Sequence, residues 1–469
     1  MNKKLFPILS AFLLLFSLIE KGQATETYRP ETSVAGFIQL PGSGRQVYNF
    51  NPGWRFFKGD IHGAESVDFD DRSWTIVSTP HTVELMPAEA SGCRNYQGPA
   101  WYRKHFVLPA ETKGKRVLIH FEAAMGKQVL YLNGKRIQEH VGGYLPFTLD
   151  LTTNGIQAGD SCLLAIFVDN SNDKSFPPGK PQYTLDFAYH GGIYRDVWMI
   201  AKSPVSITDP LDSQTVAGGG VFVHFDKISE KSAQVYVNTE LQNDNQHTET
   251  VTVETTLTDA DGKVIKRTSG KLSLKSGEKK IIRRQIEVKS PKLWSPDAPY
   301  LYKVQSRIKK GNQSIDGGIT RIGIRLAEFR GKDGFWLNGK PFVQLVGANR
   351  HQDFAYVGNA LPNSQQWRDA KRLRDAGCTI IRVAHYPQDP SFMDACDELG
   401  MFVIVATPGW QYWNKDVKFG ELVHQNTREM IRRDRNHPSV LMWEPILNET
   451  RYPLDFALKA LEITKEEFP

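Results

Sequence analysis

The spacing of apolar residues changes after Leu326, and this change restricts the fold more than any other feature of the chain. Beyond it, apolar runs of strand length alternate with stretches of helical periodicity. This alternation predicts parallel βα units, whose strands read as continuous apolar runs because both faces of the sheet are buried. Four strands are predicted, at 342–347, 379–384, 401–405 and 440–447. Four βα units amount to the first half of an eight-stranded (β/α)8 TIM barrel.

The helices predicted between these strands are bounded by capping residues. Asn363 can cap a helix over 363–376, and Asp389 can cap a second helix that Gly400 closes. A third helix is predicted over 422–435. No Gly-x-Gly-x-x-Gly motif follows a predicted strand, which argues against a dinucleotide-binding fold.

Before Leu326 the chain shows the rhythm of antiparallel β structure. Residues 45–203 contain short apolar runs between turns, including an alternating run before Asn133-Gly134, and this spacing predicts a β-sandwich. Residues 204–325 continue the pattern at a length that fits an immunoglobulin-like sandwich. Residues 25–44 are polar and contain proline and glycine, so we interpret them as a linker.

The N-terminus predicts export. Lys3-Lys4 precede an apolar run over 5–19, and small residues follow it, which is typical of a secretory signal peptide over 1–24. The run is short for a membrane span, although an uncleaved anchor is the alternative. We therefore expect a periplasmic or secreted protein with no membrane span after signal cleavage.

The amino-acid composition excludes few classes of protein, but it argues against nucleic-acid binding. Of 469 residues, 23% are charged, and the net charge of +6 is spread among acidic neighbours, so we expect no nucleic-acid partner. The four cysteines fit no metal-binding spacing. Cys378 and Cys396 lie in apolar contexts and are predicted to be core residues. A disulfide between Cys93 and Cys162 is compatible with export, but no feature of the sequence supports it.

Polar and aromatic side chains follow each predicted strand of the parallel sheet. They are Asn349 to Asp353, Arg382 with His385, Trp410 to Asn414, and Asn448-Glu449. Barrel enzymes keep their acids and bases at this end of the strands, so Glu449 is a candidate catalytic acid/base. Aromatic platforms with hydrogen-bonding neighbours suit a sugar. Taken singly, a strand-end histidine can be a structural residue, and the aromatic residues can be core or lid packing.

Several motifs in a fixed order carry a family resemblance. They are Trp101-Tyr102-Arg103, Leu132 to Lys135, Gly192 to Asp196, Leu293 to Pro296, Pro299 to Tyr302, Gly339 to Pro341, Asn349 to His351, Arg382 to Pro387 and Asp434 to Val440. In this order they resemble glycoside hydrolase family 2, the β-galactosidase/β-glucuronidase superfamily. The resemblance implies a galactose-binding-like jelly-roll sandwich, an immunoglobulin-like sandwich and a catalytic TIM barrel beginning near residue 326.

The resemblance also implies a retaining mechanism with two carboxylates about 5–5.5 Å apart. It assigns the acid/base role to Glu449 and a hydrogen bond with the sugar 2-hydroxyl to Asn448. It gives Arg382 the role of supporting the nucleophile electrostatically. The further substrate-binding residues that it implies are Asp186, from the first sandwich, with His351 and His385.

The chain departs from the family pattern at three places. The nucleophile belongs on a later strand, which we expect to be absent from this chain, and Glu444 lies within strand four as a structural or lining residue. Four residues, rather than the usual three, separate Trp443 from Asn448. The loop over 407–412 lacks the acid and histidine ligands of the β-galactosidase magnesium site, so we expect no metal and no cofactor.

These inferences predict an exported retaining glycosidase that is cut short within its barrel. Its substrates are expected to be oligosaccharides or small β-glycosides, with β-galactosides favoured and β-glucuronides or β-mannosides as alternatives. The opposing hypotheses are a non-catalytic carbohydrate-binding protein and an inactive fragment. Whether the full-length form is a homo-oligomer stays open.

Overall fold

The structure, a computed structural model, describes residues 38–86, 95–342 and 344–469, together with the backbone of Glu31–Thr32. The predicted signal peptide and Cys93 lie outside the described residues. Leu40 and Ser43, at the end of the predicted linker, are buried. In the part of the chain that is described, no helix is at once long enough and apolar enough to cross a lipid bilayer.

Two antiparallel sheets form the first β-sandwich. Its strands are β1 (Glu31–Thr32), β2 (Gln46–Asn49), β3 (Trp54–Lys58), β4 (Thr75–Val77), β5 (Pro99–Val107), β6 (Arg116–Phe121), β7 (Lys127–Leu132), β8 (Lys135–Val141), β9 (Phe147–Asp150), β10 (Ser161–Asp169) and β11 (Val197–Lys202). One sheet has the order β1-β2-β11-β6-β9 and the other β4-β3-β5-β10-β7-β8. Asn133 and Gly134 both have positive φ and join β7 to β8, as the Asn-Gly hairpin signal predicts.

The second β-sandwich also consists of two antiparallel sheets. Its strands are β12 (Val205–Ile207), β13 (Val221–Asp226), β14 (Ser232–Asn243), β15 (Glu249–Thr258), β16 (Val264–Leu274), β17 (Lys279–Lys289), β18 (Tyr302–Lys310) and β19 (Gln313–Ile322). In one sheet β14 pairs with β12, β13 and β17, and the other sheet has the order β16-β15-β18-β19. Alternate residues of β14 and β18 point into the core because side chains alternate between the faces of a strand.

The remaining residues contain a small antiparallel sheet and then a parallel one. The antiparallel strands are β20 (Ala327–Phe329), β21 (Phe335–Leu337) and β22 (Lys340–Pro341). The parallel sheet has the order β23-β24-β25-β26, and a helix follows each strand. Its elements are β23 (Gly347–Arg350), α1 (Asn363–Asp375), β24 (Ile380–Val383), α2 (Pro390–Leu399), β25 (Phe402–Ala406), α3 (Val417–Asp434), β26 (Val440–Glu444) and α4 (Leu454–Glu467).

Two strand predictions need correction. The first parallel strand runs over Gly347–Arg350 rather than 342–347, because Phe342 instead packs with Phe335 and Phe402 beneath the second sandwich. The fourth strand ends at Glu444 rather than at residue 447. Pro445 follows it and cannot donate a backbone hydrogen bond to the sheet.

The helix predictions were correct in type and less accurate at their ends. Asp389 caps α2 as predicted, by accepting a hydrogen bond from the Ser391 amide at 2.8 Å. The N-cap of α1 is Pro362, not Asn363, whose side chain instead donates to Asp196 at 2.9 Å. Helix α3 begins five residues earlier than predicted, and sequence reasoning missed α4 altogether.

Candidate active site

The carboxyl ends of the four parallel strands bring the predicted site residues to one edge of the sheet. His351 follows β23, and His385 follows β24 by two residues. Asn448 and Glu449 follow β26 on the same edge, because parallel strands all end on one side of their sheet. The edge therefore gathers imidazole, guanidinium, amide and carboxylate groups.

Arg382 on β24 forms a two-point ion pair with Glu444. Its Nε donates to Oε2 at 2.8 Å and its Nη2 donates to Oε1 at 2.6 Å. The same Nη2 donates to Asn448 Oδ1 at 3.0 Å. Glu444 is the last residue of β26 and not an interior strand residue. The guanidinium that was predicted to support the nucleophile is thus bound to the Glu444 carboxylate in this structure.

Glu449 is exposed and held in a backbone conformation that non-glycine residues rarely adopt, with φ at 59°. The side-chain amide of Gln411 donates a hydrogen bond to its Oε2. Gln411 itself has φ at 55°, and its backbone amide donates to Thr450 Oγ1 at 2.9 Å. Gln411 and Glu449 thus both have positive φ and are hydrogen-bonded to each other. Backbone strain of this kind clusters at functional sites.

Two histidines and an indole form the wall beside these polar groups. The His385 ring stacks on Trp410 with centroids 4.8 Å apart and planes 7° apart. Burial lowers the pKa of His385 to about 3, and the charges of Arg382 and His351 act in the same direction. Burial also lowers the pKa of His351. Both imidazoles are therefore neutral near pH 7 and able to donate and accept hydrogen bonds with hydroxyl groups.

A loop of the first sandwich covers this wall. The Lys180 ammonium lies 4.0 Å from the ring centroid of Trp410, and Phe187 packs 4.7 Å from the His351 ring. Burial lowers the pKa of Lys180, while the Asp186 and Glu449 carboxylates act in the opposite direction. Asp186 is exposed on the same loop. The structure thus brings the predicted residue Asp186 to the strand-end edge, although it belongs to another domain.

The Gly192 to Asp196 motif anchors the first sandwich to the parallel sheet. Arg195 is fully buried, and its Nη2 donates to Gln352 Oε1 at 3.0 Å and to the Pro387 carbonyl at 2.8 Å. Its Nη1 donates to the Tyr144 carbonyl at 3.0 Å. One guanidinium therefore joins the sandwich to the residues that follow β23 and β24. This anchor fixes the loop that carries Lys180 and Asp186 above the site.

The Asp434 to Val440 motif anchors the second sandwich in a comparable way. Arg435 Nη2 donates to the Gly218 and Gly219 carbonyls at 2.7 Å each. Asn436 exchanges hydrogen bonds with the backbone of β13, accepting from Val223 at 2.9 Å and donating to Val221 at 2.7 Å. This motif, which carries much of the sequence resemblance, therefore docks domains and does not line the site.

One group of three metal-ligating side chains occurs among the described residues, formed by Asp394, Asp397 and His437. The Arg321 guanidinium already contacts Asp394 at 2.5 Å, and His437 Nδ1 is 2.6 Å from Asp397 Oδ2. Although burial opposes the imidazolium, the Asp397 carboxylate raises the pKa of His437 to about 9. A protonated imidazole and a guanidinium give this cluster the chemistry of an ion-pair network rather than of a metal centre.

Sequence reasoning missed Lys180 and did not assign a role to Gln411. Lys180 ends the segment Pro177-Pro178-Gly179-Lys180, which has the composition of an ordinary loop. Gln411 lies in the loop after β25, where the aromatic residues drew attention. Its contact with Glu449 depends on a turn in that loop, for which the sequence offers no pattern.

Three family models match the chain in consecutive segments. Residues 64–204 match the sugar binding domain of glycosyl hydrolases family 2, residues 219–325 match the family 2 model itself, and residues 329–466 match the family 2 TIM barrel domain. The chain belongs to glycosyl hydrolase family 2. The motifs that carry the resemblance and the geometry of the strand ends agree with this membership.

Curated relatives in the family include enzymes for two sugars. A β-galactosidase of Thermoanaerobacter pseudethanolicus is 36% identical over 90% of this chain and 54% of its own length. A β-glucuronidase of Formosa agariphila is 32% identical over 86% of this chain and 42% of its own length. The chain therefore spans about half the length of the curated relatives it matches.

Solved structures show the same architecture. A family 2 β-glucuronidase superposes with a TM-score of 0.83 at 31% identity, over 92% of this chain and 46% of its own length. β-Glucuronidase 2 of Bacteroides uniformis, covalently bound to cyclophellitol-6-carboxylate aziridine, superposes with a TM-score of 0.81 at 30% identity. That match covers 90% of this chain and 52% of the other chain.

Proposed function

We propose that this chain is the N-terminal portion of an exported retaining β-glycosidase and that Glu449 is its acid/base. The observation that carries the proposal is the position of Glu449. It follows β26 in the segment that matches the family's barrel model, beside Asn448 and the amide of Gln411. The chain would supply the first four βα units of the barrel, and a later strand of a longer polypeptide would supply the nucleophile.

The proposed reaction has two steps. Glu449 donates its proton to the glycosidic oxygen while the nucleophilic carboxylate attacks the anomeric carbon, so that the alcohol leaves and a glycosyl-enzyme forms. Glu449 then takes a proton from water, which attacks the anomeric carbon and releases the sugar and the nucleophile. The neutral imidazoles of His351 and His385, with Asn448 and Asp186, would hold the sugar hydroxyls. Arg382 would exchange Glu444 for the nucleophile, or hold both, when the barrel is complete.

Terminal β-galactosides are the proposed substrates, and β-glucuronides are the second candidate. Relatives of both kinds match this chain at 36% and 32% identity, which supports the class of reaction more strongly than the sugar. A panel of 4-nitrophenyl β-galactoside, β-glucuronide and β-mannoside separates the candidates by their kcat/KM values. Export is tested by expressing the complete gene and determining the N-terminal residue of the mature protein.

The acid/base role is tested with Glu449→Gln in the longest polypeptide that the gene encodes and in the 469-residue chain. With phenyl β-galactoside, whose leaving group needs a proton, kcat should fall by about 10²- to 10⁴-fold. With 2,4-dinitrophenyl β-galactoside, which leaves without protonation, the first step should be little affected. Glu462→Gln, an exposed glutamate on α4, is the matched control. An undiminished rate of Glu449→Gln on phenyl β-galactoside would refute the assignment.

A further inference from the structure

Lys180 stands out among the residues near the site because most of its side chain is buried although it belongs to another domain. Only 8% of the residue is exposed, and its Nζ lies over the face of Trp410 at 4.0 Å. His385 stacks on the same indole. An ammonium that lies over an aromatic face is attracted by the ring, so the cation is held in a defined place.

A continuous chain of hydrogen bonds leads from this ammonium to the candidate acid/base. Lys180 Nζ donates to Oε1 of Gln411, and Nε2 of Gln411 donates to Oε2 of Glu449. Lys180 and Gln411 are 231 residues apart in sequence, so only the docking of the sandwich brings them together. Arg195, which ties the sandwich to the residues after β23 and β24, supports that docking.

The chemistry of the three groups gives the chain a direction. An ammonium can only donate hydrogen bonds, whereas a carboxamide has one accepting and one donating end. Lys180 therefore donates to the side-chain oxygen of Gln411, and this hydrogen bond orients the amide nitrogen of Gln411 toward Glu449. Oε2 of Glu449 accepts that hydrogen bond, which leaves Oε1 as the oxygen that carries the transferable proton. Without the ammonium, the amide could rotate and present its oxygen to the carboxylate instead.

We propose that Lys180 is a positioning residue for the reaction: through Gln411 it orients the Glu449 carboxyl group and assigns its transferable proton to Oε1. The first sandwich would then form part of the catalytic apparatus in addition to its role in sugar binding. This inference rests on the proposed function of Glu449 as acid/base. It assigns no contact between Lys180 and the substrate.

The kinetic test uses the longest polypeptide of the gene and compares two leaving groups. Lys180→Met should lower kcat and kcat/KM on phenyl β-galactoside by about tenfold or more, with KM nearly unchanged, and should leave kcat/KM on 2,4-dinitrophenyl β-galactoside unchanged, because kcat/KM reports the first step. Lys180→Arg, which retains a cation that donates hydrogen bonds, should recover part of the rate. Gln411→Leu should show the same selective loss, and adding Lys180→Met to it should cause little further loss, because the two residues act as one unit.

The matched control is Lys174→Met. Lys174 lies on the same loop and carries the same charge, but its side chain is exposed. The control variant should behave like the unmodified enzyme on both substrates. Equal losses of kcat/KM on both leaving groups for Lys180→Met, or no loss at all, would overturn the positioning role while leaving the Glu449 assignment intact.

A second measurement, on the 469-residue chain, does not depend on activity. Hydrogen–deuterium exchange in peptides covering 446–452 should increase about tenfold in Lys180→Met and Gln411→Leu, and not in Lys174→Met. Unchanged exchange in Lys180→Met would overturn the proposed link between Lys180 and the Glu449 segment. If exchange increases as expected but no length of the protein cleaves a β-glycoside, the proposed function fails and the link between the domains stands.

Discussion

Replacing Asp397 by asparagine should destabilise the protein in a way that depends on pH. Asp397 lies on α2, is 1% exposed, and accepts hydrogen bonds from His437 Nδ1 at 2.6 Å and from the Ser439 amide at 3.0 Å. Its backbone carbonyl accepts a hydrogen bond from Trp294 of the second sandwich at 2.9 Å. The carboxylate thus joins α2 to the turn before β26, and the backbone carbonyl of the same residue contacts the second sandwich.

The magnitude follows from the pKa of His437. Burial alone would disfavour the imidazolium, but the Asp397 carboxylate, together with the charges of Asp394 and Asp434, raises the pKa of His437 from 6.5 to about 9. A tenfold change in an equilibrium is worth about 1.4 kcal/mol, so the ion pair contributes up to about 3 kcal/mol. Loss of one partner of a buried ion pair usually costs a similar amount, about 3–5 kcal/mol.

The sign of the pH dependence is fixed by the direction of this change. Because the pKa of His437 is higher in the folded protein than in the unfolded chain, its stabilisation is complete below pH 6.5 and is lost as the pH rises through about 9. The difference in unfolding free energy between the unmodified protein and Asp397→Asn should therefore be about 3 kcal/mol at pH 6. It should shrink steadily between pH 7 and pH 10.

Urea unfolding at pH 6, 7.5, 9 and 10, followed by tryptophan fluorescence, measures this difference. Asp375→Asn is the matched control, since Asp375 also forms an ion pair, with Lys371 on the exposed face of α1. Exposed pairs contribute about 0–1 kcal/mol, so this variant should unfold almost like the unmodified protein at every pH. A constant difference for Asp397→Asn between pH 6 and pH 10 would refute the ion-pair reasoning.

Three further predictions concern the parallel sheet and the site. Gly347→Ala should strongly reduce the yield of folded protein, because a Cβ there would lie 1.7 Å from the Ile380 carbonyl oxygen; circular dichroism of the purified variant measures the loss. Asp389→Ala should lower the unfolding free energy by more than the ~1 kcal/mol of a lost helix cap, because Asp389 Oδ2 also lies 3.8 Å from the buried Arg195 Nε; Asp389→Asn, which keeps the cap and removes the charge, should restore about 1 kcal/mol in the same urea assay. The pKa of His385, lowered by burial to about 3, predicts that its ring carbon resonances do not titrate between pH 5 and pH 8, and a titration midpoint within that range would contradict the structure.

The parallel sheet could be predicted in outline because its strands are buried on both faces. The apolar run at 379–384 located β24 within one residue at each end, and the Asp389-Pro390 cap located the start of α2. The first strand was misplaced because the apolar run at 342–347 resembles a buried strand, whereas Phe342 is held by aromatic contacts with β21 and β25. Local pattern cannot distinguish an apolar residue that belongs to a parallel strand from one that lies outside the strand and packs against neighbouring strands.

The residues of the candidate site could be predicted from the sequence only where they follow strands. A strand that ends in polar residues predicts its own contribution to an active edge, so the sequence by itself determined Glu449, Asn448, His385 and Arg382 as candidates. Parallel pairing then places them together without further information.

Only the tertiary structure decided which groups surround them. Arg382 could have been free for a nucleophile, but the end of β26 brings Glu444 to it. Lys180 reaches Gln411 because buried hydrogen bonds of Arg195 dock one domain on another. Strand ends are encoded by local periodicity, which the sequence displays, whereas contacts between domains depend on how complementary surfaces fit across hundreds of residues, which no local pattern records.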